Sequence, residues 1–194
     1  MFTGIITHLG ILKEKNSDTL IIKTPRDLYQ KLSLGMSVAV DGICFTVSAL
    51  KEPGEFTVTF MPETENKTNI KYFKKGDLLN LELPVTLKTL FAGHIVQGHV
   101  DQVSRILSIE NEGNSRIFTF TVNPFRSKYL VDKGSVAVNG ISLTVIQAMD
   151  NRFTVGIIPH TWTHTMLHQV RIGDYVNIEI DVLAKYVEKL LIKK

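Results

Sequence analysis

The sequence contains very little cysteine. Only one of its 194 residues, Cys44, is a cysteine. A single thiol excludes an intramolecular disulfide, and with it the small disulfide-stapled folds of secreted proteins. The same usage fits a reducing compartment, so we expect a cytoplasmic protein.

The sequence also lacks long apolar runs, a secretory start and a strong charge of one sign. No stretch approaches the ~18 consecutive apolar residues of a membrane helix, and the first residues lack the basic, apolar and small-residue pattern of a signal peptide. The formal net charge is only +3 and the lysines are scattered along the chain, which argues against a nucleic-acid partner. With 44% hydrophobic and 21% charged residues, the composition is typical of a soluble globular protein with no membrane association.

The sequence does contain an internal repeat. Residues 37–47 and 135–145 have nearly identical sequences. They differ only at Asp41/Asn139, Cys44/Ser142 and Phe45/Leu143. Each copy has β-prone residues on both sides of an Asp-Gly or Asn-Gly pair, which predicts a hairpin closed by a type I′ turn.

The repeat continues on both sides of the hairpin. Residues 56–58 recur at 153–155, residues 61–64 at 158–161, and residues 76–82 at 173–179, while residues 1–5 align with 95–99. Repetition in this order indicates a tandem duplication. We therefore expect an N-terminal domain at 1–90, a C-terminal domain at 91–180 and a terminal segment at 181–194.

Each half is predicted to be built of short strands. In the first half they fall near residues 4–13, 18–24, 36–40, 43–50, 55–60 and 78–83, separated by glycine and Asx residues. This spacing favours an all-β fold, and six such strands can close a small Greek-key barrel. The prediction is two tandem six-stranded Greek-key barrels, with short helical pieces near 26–32 and 65–72, and near 125–131 and 162–168.

The segment 181–194 has no counterpart in the first half and is predicted to be a helix. Asp181 is a good N-cap. The apolar residues follow at helical spacing: Val182, Leu183, Tyr186, Val187, Leu190 and Leu191. A helix packed into its own core would explain this stripe, but a stripe without an obvious partner favours self-association.

Two groups of residues are candidates for chemistry. Cys44 stands where the second copy has Ser142, so it is either a small buried apolar residue or a functional difference between the halves. His99 aligns with Ile5, so the scaffold does not require an imidazole there, and a near-neutral histidine is a plausible general acid or base. His94 lies in the same segment as His99, and this pair lacks the spacing of known metal-ligand sets.

Three histidines are spaced four residues apart, which resembles a metal-binding helix face. They are His160, His164 and His168. Their counterparts in the first copy are Glu63, Lys67 and Lys71, an ordinary solvated face, so no metal is expected. His160 remains a candidate for contacting a ligand.

Several of these motifs together resemble the riboflavin synthase family along nearly the full length of the chain. They are the start at residues 1–5, the two hairpins, Gly-His-Ile-Val-Gln-Gly-His-Val-Asp at 93–101, and Pro-x-Thr at 62–64 and 159–161. The resemblance implies two six-stranded barrels and a homotrimer held partly by C-terminal helices. It implies dismutation of two 6,7-dimethyl-8-ribityllumazine molecules into riboflavin and 5-amino-6-ribitylamino-uracil, without cofactor or metal, and association with lumazine synthase as a further partner.

The resemblance also implies site residues, in a site formed between the first barrel of one subunit and the second barrel of a neighbour. The first pocket would use Gly4, Ile5, Ile6, Ser37, Cys44, Phe45, Thr46, Thr59, Phe60, Met61, Pro62, Glu63 and Thr64. The second would use Gly98, His99, Val100, Ser142, Leu143, Thr144, Gly156, Ile157, Ile158, Pro159, His160 and Thr161, with Lys133 reaching a neighbour's ligand. Catalytic roles would fall to Cys44, His99, Ser142, Thr144 and Asn139.

One position departs from the family pattern. Asn139 stands where some members have an aspartate, and an amide cannot accept a proton as a carboxylate does. Identical lumazines can take different roles only if the two pockets differ. The pockets differ at Cys44/Ser142, Glu63/His160, Ile5/His99 and Phe2/Val96, but these differences do not show which pocket holds the donor.

Two other functions would fit the same fold. One is a non-catalytic lumazine or flavin carrier, and the other is a flavin-binding reductase domain, which would need a nicotinamide module.

Overall fold

The structure is a computed structural model that describes residues 1–191. In the first half the strands are β1 (His8–Lys15), β2 (Thr19–Lys23), β3 (Ser37–Val40), β4 (Ile43–Lys51), β5 (Glu55–Thr59) and β6 (Leu78–Glu82). In the second half they are β7 (Gln102–Glu112), β8 (Ser115–Thr121), β9 (Ser135–Val138), β10 (Ile141–Ala148), β11 (Arg152–Ile157) and β12 (Tyr175–Ile180). The helices are α1 (Arg26–Tyr29), α2 (Pro62–Lys67), α3 (Pro124–Ser127), α4 (Pro159–His164) and α5 (Val182–Leu191), with 3₁₀ turns at Asn69–Tyr72 and Met166–Gln169.

Each half closes into a barrel with the same strand order. Around the first barrel the order is β1, β2, β5, β4, β3, β6, and the second repeats it as β7, β8, β11, β10, β9, β12. The meander β3–β4–β5, with β6 returning to pair beside β3, is a Greek key. The predicted fold, an all-β chain of two tandem six-stranded Greek-key barrels, is confirmed.

The repeated hairpins have the predicted turns. Asp41 and Gly42 have φ of 45° and 75°, and Asn139 and Gly140 have φ of 44° and 77°. Positive φ at both central residues defines the type I′ turn, whose twist matches that of the flanking strands. Among residues 1–191, none of the helices combines the length and hydrophobicity that a membrane crossing requires.

The two barrels meet at these hairpin turns, around a local twofold axis. An ideal Cβ on Gly42 would lie 2.5 Å from the backbone nitrogen of Gly140, so the two turns touch backbone to backbone. Amide side chains cross the axis beside them, since Asn80 Nδ2 donates to the Asn139 carbonyl at 2.9 Å and Asn177 Nδ2 donates to the Asp41 carbonyl at 2.9 Å. These buried hydrogen bonds join the barrels through equivalent partners.

The interface departs from twofold symmetry at one equivalent pair of residues, Asn139 and Asp41. Asn139 is fully buried, its Oδ1 accepts from the Asn177 backbone N–H at 2.7 Å, and its Nδ2 lies 3.4 Å from the Met166 sulfur. Asp41 is equally buried and its Oδ1 accepts from the Asn80 N–H at 2.7 Å, but its Oδ2 has no partner among the described residues. Burial raises the pKa of Asp41 to about 8.

The first strand begins later than predicted. The sequence placed it from residue 4, but β1 starts at His8. Residues 3 and 4 are held in an irregular segment because the buried carboxylate of Glu82 accepts from the backbone N–H groups of Thr3, at 2.7 Å, and Gly4, at 3.0 Å. The helical pieces are also split differently, because Thr68 and Thr165 each end an α-helix and cap a 3₁₀ turn.

The predicted terminal helix is present as α5. Asp181 Oδ1 accepts from the Leu183 N–H at 3.0 Å, as an N-cap does. Ala184 packs against the core of the second barrel. Five other apolar side chains of α5 are exposed, and of these Val187 and Leu191 line a groove together with Ala184. The five are Leu183, Tyr186, Val187, Leu190 and Leu191. The end of the predicted segment, residues 192–194, lies outside the described residues.

Candidate active site

The first candidate face lies on β4 of the first barrel, around Cys44. The Cys44 side chain is half-buried, and its backbone N–H donates to the Gly98 carbonyl at 2.9 Å. Gly98 has φ +82°, and an ideal Cβ on it would lie 2.5 Å from the Cys44 Cβ. Only glycine permits this conformation and this approach. A segment from the second half of the chain therefore covers Cys44.

The second candidate face lies on β10 of the second barrel, around Ser142. The Ser142 N–H donates to the Gly4 carbonyl at 2.8 Å. Gly4 has φ +76°, and a Cβ there would lie 2.6 Å from the Ser142 Cβ. The chain start covers Ser142 in the same way that residue 98 covers Cys44.

These contacts correct the way the sequence grouped the pocket residues. We predicted that residues 4–6 belong with Cys44 and residues 98–100 with Ser142, but the structure exchanges them. Ile6 packs on the core of the second barrel and Val100 on the core of the first. The segments cross because Phe2 and Val96 pair with each other at the twofold axis, which carries each segment onto the opposite barrel.

Two buried glutamates hold the crossing segments. Glu82, at the end of β6, accepts from Thr3 and Gly4, while Glu179, at the end of β12, accepts from the N–H groups of residues 97, 98 and 99 at 2.7, 2.9 and 3.0 Å. Burial raises the pKa of both carboxyls, although the N–H donors oppose this shift. Each barrel thus fixes the segment that completes the other barrel's face.

His94 stands behind Ser142, which the sequence did not anticipate. Its Nδ1 lies 2.7 Å from Ser142 Oγ, and its Nε2 has no partner among the described residues. Only 7% of His94 is exposed, and burial lowers its pKa below the usual value of 6.5. A neutral imidazole in this position can take the hydroxyl proton. The sequence placed His94 in the same segment as His99, but only the fold shows its partner.

His99 lies on the opposite face from the one we predicted, beside Cys44. Its side chain is exposed, and its backbone N–H is one of the three bound by Glu179. Ile5 occupies the equivalent place beside Ser142 and is 42% exposed. The imidazole is therefore accessible to a ligand on the first barrel, and an apolar side chain is accessible on the second.

The remaining strand residues divide by the side of the barrel they face. Thr46, Thr59 and Thr144 are exposed and Ser37 is half-buried, so they share the outer surface with Cys44 or Ser142. Four other predicted site residues face the barrel cores, because side chains alternate along a strand. They are Phe45, Phe60, Leu143 and Ile157, and each is at most 8% exposed. Their side chains face the barrel cores, so these four residues could meet a ligand on the outer surface only through their backbone.

The two Pro-x-Thr motifs are helix starts rather than simple turns. Pro62 and Pro159 occupy the first turns of α2 and α4, where a missing N–H is tolerated. The residues around them are exposed or half-buried on the outer surface: Met61, Pro62, Glu63, Thr64, Ile158, Pro159, His160 and Thr161. Gly156, on β11, is half-buried, and an ideal Cβ on it would lie 3.3 Å from Ile146. Lys133 is exposed and has φ 66°.

Asn139 and His160 lie in different environments. Asn139 is fully buried between the barrels, where its amide makes hydrogen bonds, and it is not exposed on either face. His160 and His164 stack at 4.2 Å between ring centroids, and His164 Nδ1 faces the His160 carbonyl at 2.8 Å. The described residues contain no group of three or more His, Cys, Asp or Glu that could hold a metal ion.

Comparison with known structures shows the fold again. The crystal structure of LumP complexed with riboflavin superposes with a TM-score of 0.85 at 20% identity, covering 93% of this chain and 99% of that one. The same protein bound to 6,7-dimethyl-8-(1'-D-ribityl) lumazine gives a TM-score of 0.82 at 21% identity over the same shares. These likenesses establish the tandem-barrel architecture.

Comparison of sequences shows the family. A family model of the lumazine binding domain matches twice, at residues 3–84 and 97–181. The riboflavin synthase of Bacillus subtilis is 39% identical over all of this chain and 91% of its own length, and that of Actinobacillus pleuropneumoniae is 38% identical over the same shares. The Schizosaccharomyces pombe riboflavin synthase is 38% identical over 98% of this chain and 94% of its own. The chain therefore belongs to the riboflavin synthase family of enzymes.

Proposed function

We propose that this chain transfers a four-carbon unit between two molecules of 6,7-dimethyl-8-ribityllumazine, giving riboflavin and 5-amino-6-ribitylamino-uracil. The observation that carries the proposal is the pair of equivalent outer faces, one at Cys44 and one at Ser142, each covered by a segment from the other half. Two similar sites suit two identical ligands. Holding both rings for reaction can supply a large part of the acceleration.

The two faces differ in the groups that they offer to a ligand. The second face has the Ser142 hydroxyl backed by the buried imidazole of His94. We assign this pair to proton transfer, for instance removal of a proton from the C7 methyl of one lumazine, with the proton passing through Ser142 Oγ to His94 Nδ1. The first face has the Cys44 thiol and the exposed His99 imidazole, and we assign these to the second lumazine, whose C7 accepts a nucleophile.

The remaining predicted contacts belong to the same proposal. Exposed hydroxyls beside each centre, from Thr46 and Thr144, are suited to hydrogen bonding with the polar edges or ribityl chains of the ligands. Together the two substrates contain the same atoms as the two products, so the exchange is redox-neutral overall. The reaction as proposed calls for no cofactor.

The test is to mix purified protein with the lumazine alone and to follow riboflavin absorbance. Riboflavin and the uracil product should form in equal amounts. Tight binding of the lumazine without turnover would instead identify a carrier of the same fold. Absence of both binding and turnover would refute the assignment of the two faces.

We also propose that the chain acts as a homotrimer, with each active site shared between the first barrel of one copy and the second barrel of another. The exposed apolar face of α5 supports this proposal, because its residues follow the i, i+3, i+4, i+7 spacing of helices that pack together. Leu190→Glu places a charge on this face and should shift the sedimenting species toward a monomer and abolish turnover. Exposed Lys189 provides the control substitution, Lys189→Gln. A monomer with full turnover would contradict the proposal.

The proposal also covers the domain boundaries, the cellular compartment and a protein partner. The two domains are residues 1–90 and 91–180, followed by the assembly segment 181–194. The single thiol favours the cytoplasm as the compartment. Lumazine synthase is a natural partner, because it would deliver the substrate directly, and co-sedimentation of the two purified proteins tests this.

A further inference from the structure

Asp101 is a junction between the His99 segment and helix α5. Its Oδ1 accepts from Arg126 Nη1 at 2.9 Å, and its Oδ2 lies 2.6 Å from Lys185 Nζ on α5. The same Oδ2 accepts from the Ile180 N–H at 2.9 Å, immediately before the helix. Only 12% of the Asp101 side chain is exposed, against 32% of Lys185. The ion pair is therefore partly shielded from solvent and has additional hydrogen bonds, unlike a loose surface pair.

The position of Asp101 in the chain gives this contact its importance. It lies two residues after His99 and directly before β7, where the chain leaves the first barrel for the second. Val100, between them, packs on the core of the first barrel. On its other side, the segment is bound by Glu179 and covers Cys44 through Gly98. A movement of Asp101 would therefore be transmitted to residues 98–100.

Among residues 1–191, the equivalent segment of the other face makes no ion pair with α5. Thr7 occupies the equivalent place, and its backbone N–H donates to the Leu81 carbonyl at 3.3 Å, just as the Asp101 N–H donates to the Ile178 carbonyl at 2.8 Å. The Thr7 hydroxyl repeats the contact with Leu81, at 3.4 Å, and lies 2.9 Å from His8 Nδ1, while His8 Nε2 faces Asp27 of α1 at 2.8 Å. The first copy is thus linked to its own short helix α1, and the ion pair to the terminal helix α5 is an addition to the second copy.

We propose that Lys185 and Asp101 are positioning residues that hold residues 98–100 against Cys44. The first face then has its complete arrangement of Cys44 and His99 only while helix α5 is docked on the barrel. The inference deepens the role given to His99 in the proposed function. It also extends to assembly, because α5 carries the apolar face assigned to contacts between copies. Docking of α5 therefore prepares the barrel-one site.

The chain contains its own reporter for this proposal. Cys44 is its only thiol, and residue 98 shields it in part, so that it is half-buried. The rate of alkylation by iodoacetamide, a small uncharged reagent, should therefore rise when the segment opens more often. In Lys185→Gln, we expect alkylation about five- to thirty-fold faster than in the wild type, the range for loss of one partner of a partly buried ion pair. Lys185→Arg, which keeps the charge, should restore the slow rate.

Lys189→Gln is the matched control, since it removes a lysine of the same helix that makes no ion pair with residues 1–191. Its alkylation rate should equal that of the wild type. For turnover, Lys185→Gln should lower kcat with less change in KM, because the segment carries a proposed catalytic group, and sedimentation should show the assembly intact. Faster alkylation in protein that never makes riboflavin would sustain the lock while refuting the proposed function.

The proposal is overturned if Lys185→Gln and Lys189→Gln alkylate at the same rate as the wild type. Should Lys185→Gln fail to fold, the wild type is compared at low and high salt, since salt weakens a pair that is not fully buried. Faster alkylation at high salt then supports the lock, and a constant rate overturns it.

Discussion

At the scale of single residues, burial shifts the pKa of His94 and of Asp41 and so changes their protonation state. His94 is desolvated, which lowers its pKa, while a weaker attraction from Asp181 opposes the change. The imidazole is therefore neutral in the pH range where an ordinary histidine begins to protonate. A neutral ring at 2.7 Å from Ser142 Oγ can act as a base.

His94→Gln tests whether His94 acts as the base for the Ser142 hydroxyl. The amide can still hydrogen-bond to Ser142 but cannot accept its proton, so kcat should fall by about 10²- to 10⁴-fold. The wild-type pH profile should also lose activity as the pH falls below 6.5, through the lowered pKa of His94, and this acid limb should be missing in the variant. His168→Gln, at an exposed histidine, is the control and should leave both features unchanged. A kcat within a few-fold of wild type would make His94 a structural residue.

Asp41 shows the opposite effect of burial, because its pKa rises to about 8 from a model-compound value of 3.8. The folded state therefore holds the Asp41 proton more tightly than the unfolded state. This contribution to stability is fully present below about pH 4 and is lost as the pH rises towards 8. One proton of difference corresponds to a slope of at most about 1.4 kcal/mol per pH unit.

Asp41→Asn copies the residue found at position 139 and removes the titration. Its free energy of unfolding in urea should vary less between pH 5 and pH 8 than that of the wild type, and its advantage should be greatest at pH 8. Asn139→Asp is the matched reverse change and should steepen the loss of stability with pH. Parallel curves for Asp41→Asn and wild type would show that the carboxyl is not protonated in the folded protein.

At the scale of elements, β6 and β12 each have a glutamate among their last two residues, and each glutamate holds the segment that covers the opposite barrel's face. Replacing either carboxylate by an amide puts an NH₂ group against N–H donors and should cost about 1–3 kcal/mol locally. Because the segments cross, Glu82→Gln should speed hydrogen exchange at the Ser142 amide, and Glu179→Gln should speed it at the Cys44 amide. The unchanged amide in each variant is the control. Equal acceleration at both amides in each variant would mean that the glutamates stabilise the interface as a whole.

These elements also show how far the sequence alone can lead. The hairpins were predictable because Asp-Gly and Asn-Gly between β-prone residues favour a type I′ turn. Helix α5 was predictable because Asp181 can cap it and its apolar residues follow at helical spacing. The crossing of the two segments was not predictable, since alignment shows which residues are equivalent but not which barrel they contact. The His94–Ser142 contact was missed for the same reason, because it joins two elements that only the packed barrels bring together.

At the scale of the whole molecule, the two halves complete each other rather than standing side by side. Residues 4–6 contact the second barrel and residues 98–100 contact the first, with Phe2 and Val96 paired between them. Such an exchange about a twofold axis resembles the isologous contact of a symmetric dimer. It follows that either half alone leaves a hairpin uncovered and a segment without a surface.

The fragment 1–90 should therefore form a dimer with itself. A second copy can place its residue 4 over Cys44 as residue 98 does in the intact chain, and Phe2 can pair with Phe2 in place of Val96. Light scattering of the fragment should give twice its monomer mass. Gly4→Ala should weaken this dimer, because a Cβ at that site lies 2.6 Å from the facing strand in the intact chain. Gly35→Ala is matched for strain, since both glycines have φ near +80°, but its Cβ meets nothing within 4 Å and the dimer should persist. A folded monomeric fragment, or equal effects of the two substitutions, would show that the crossing segments do not drive the association of the halves.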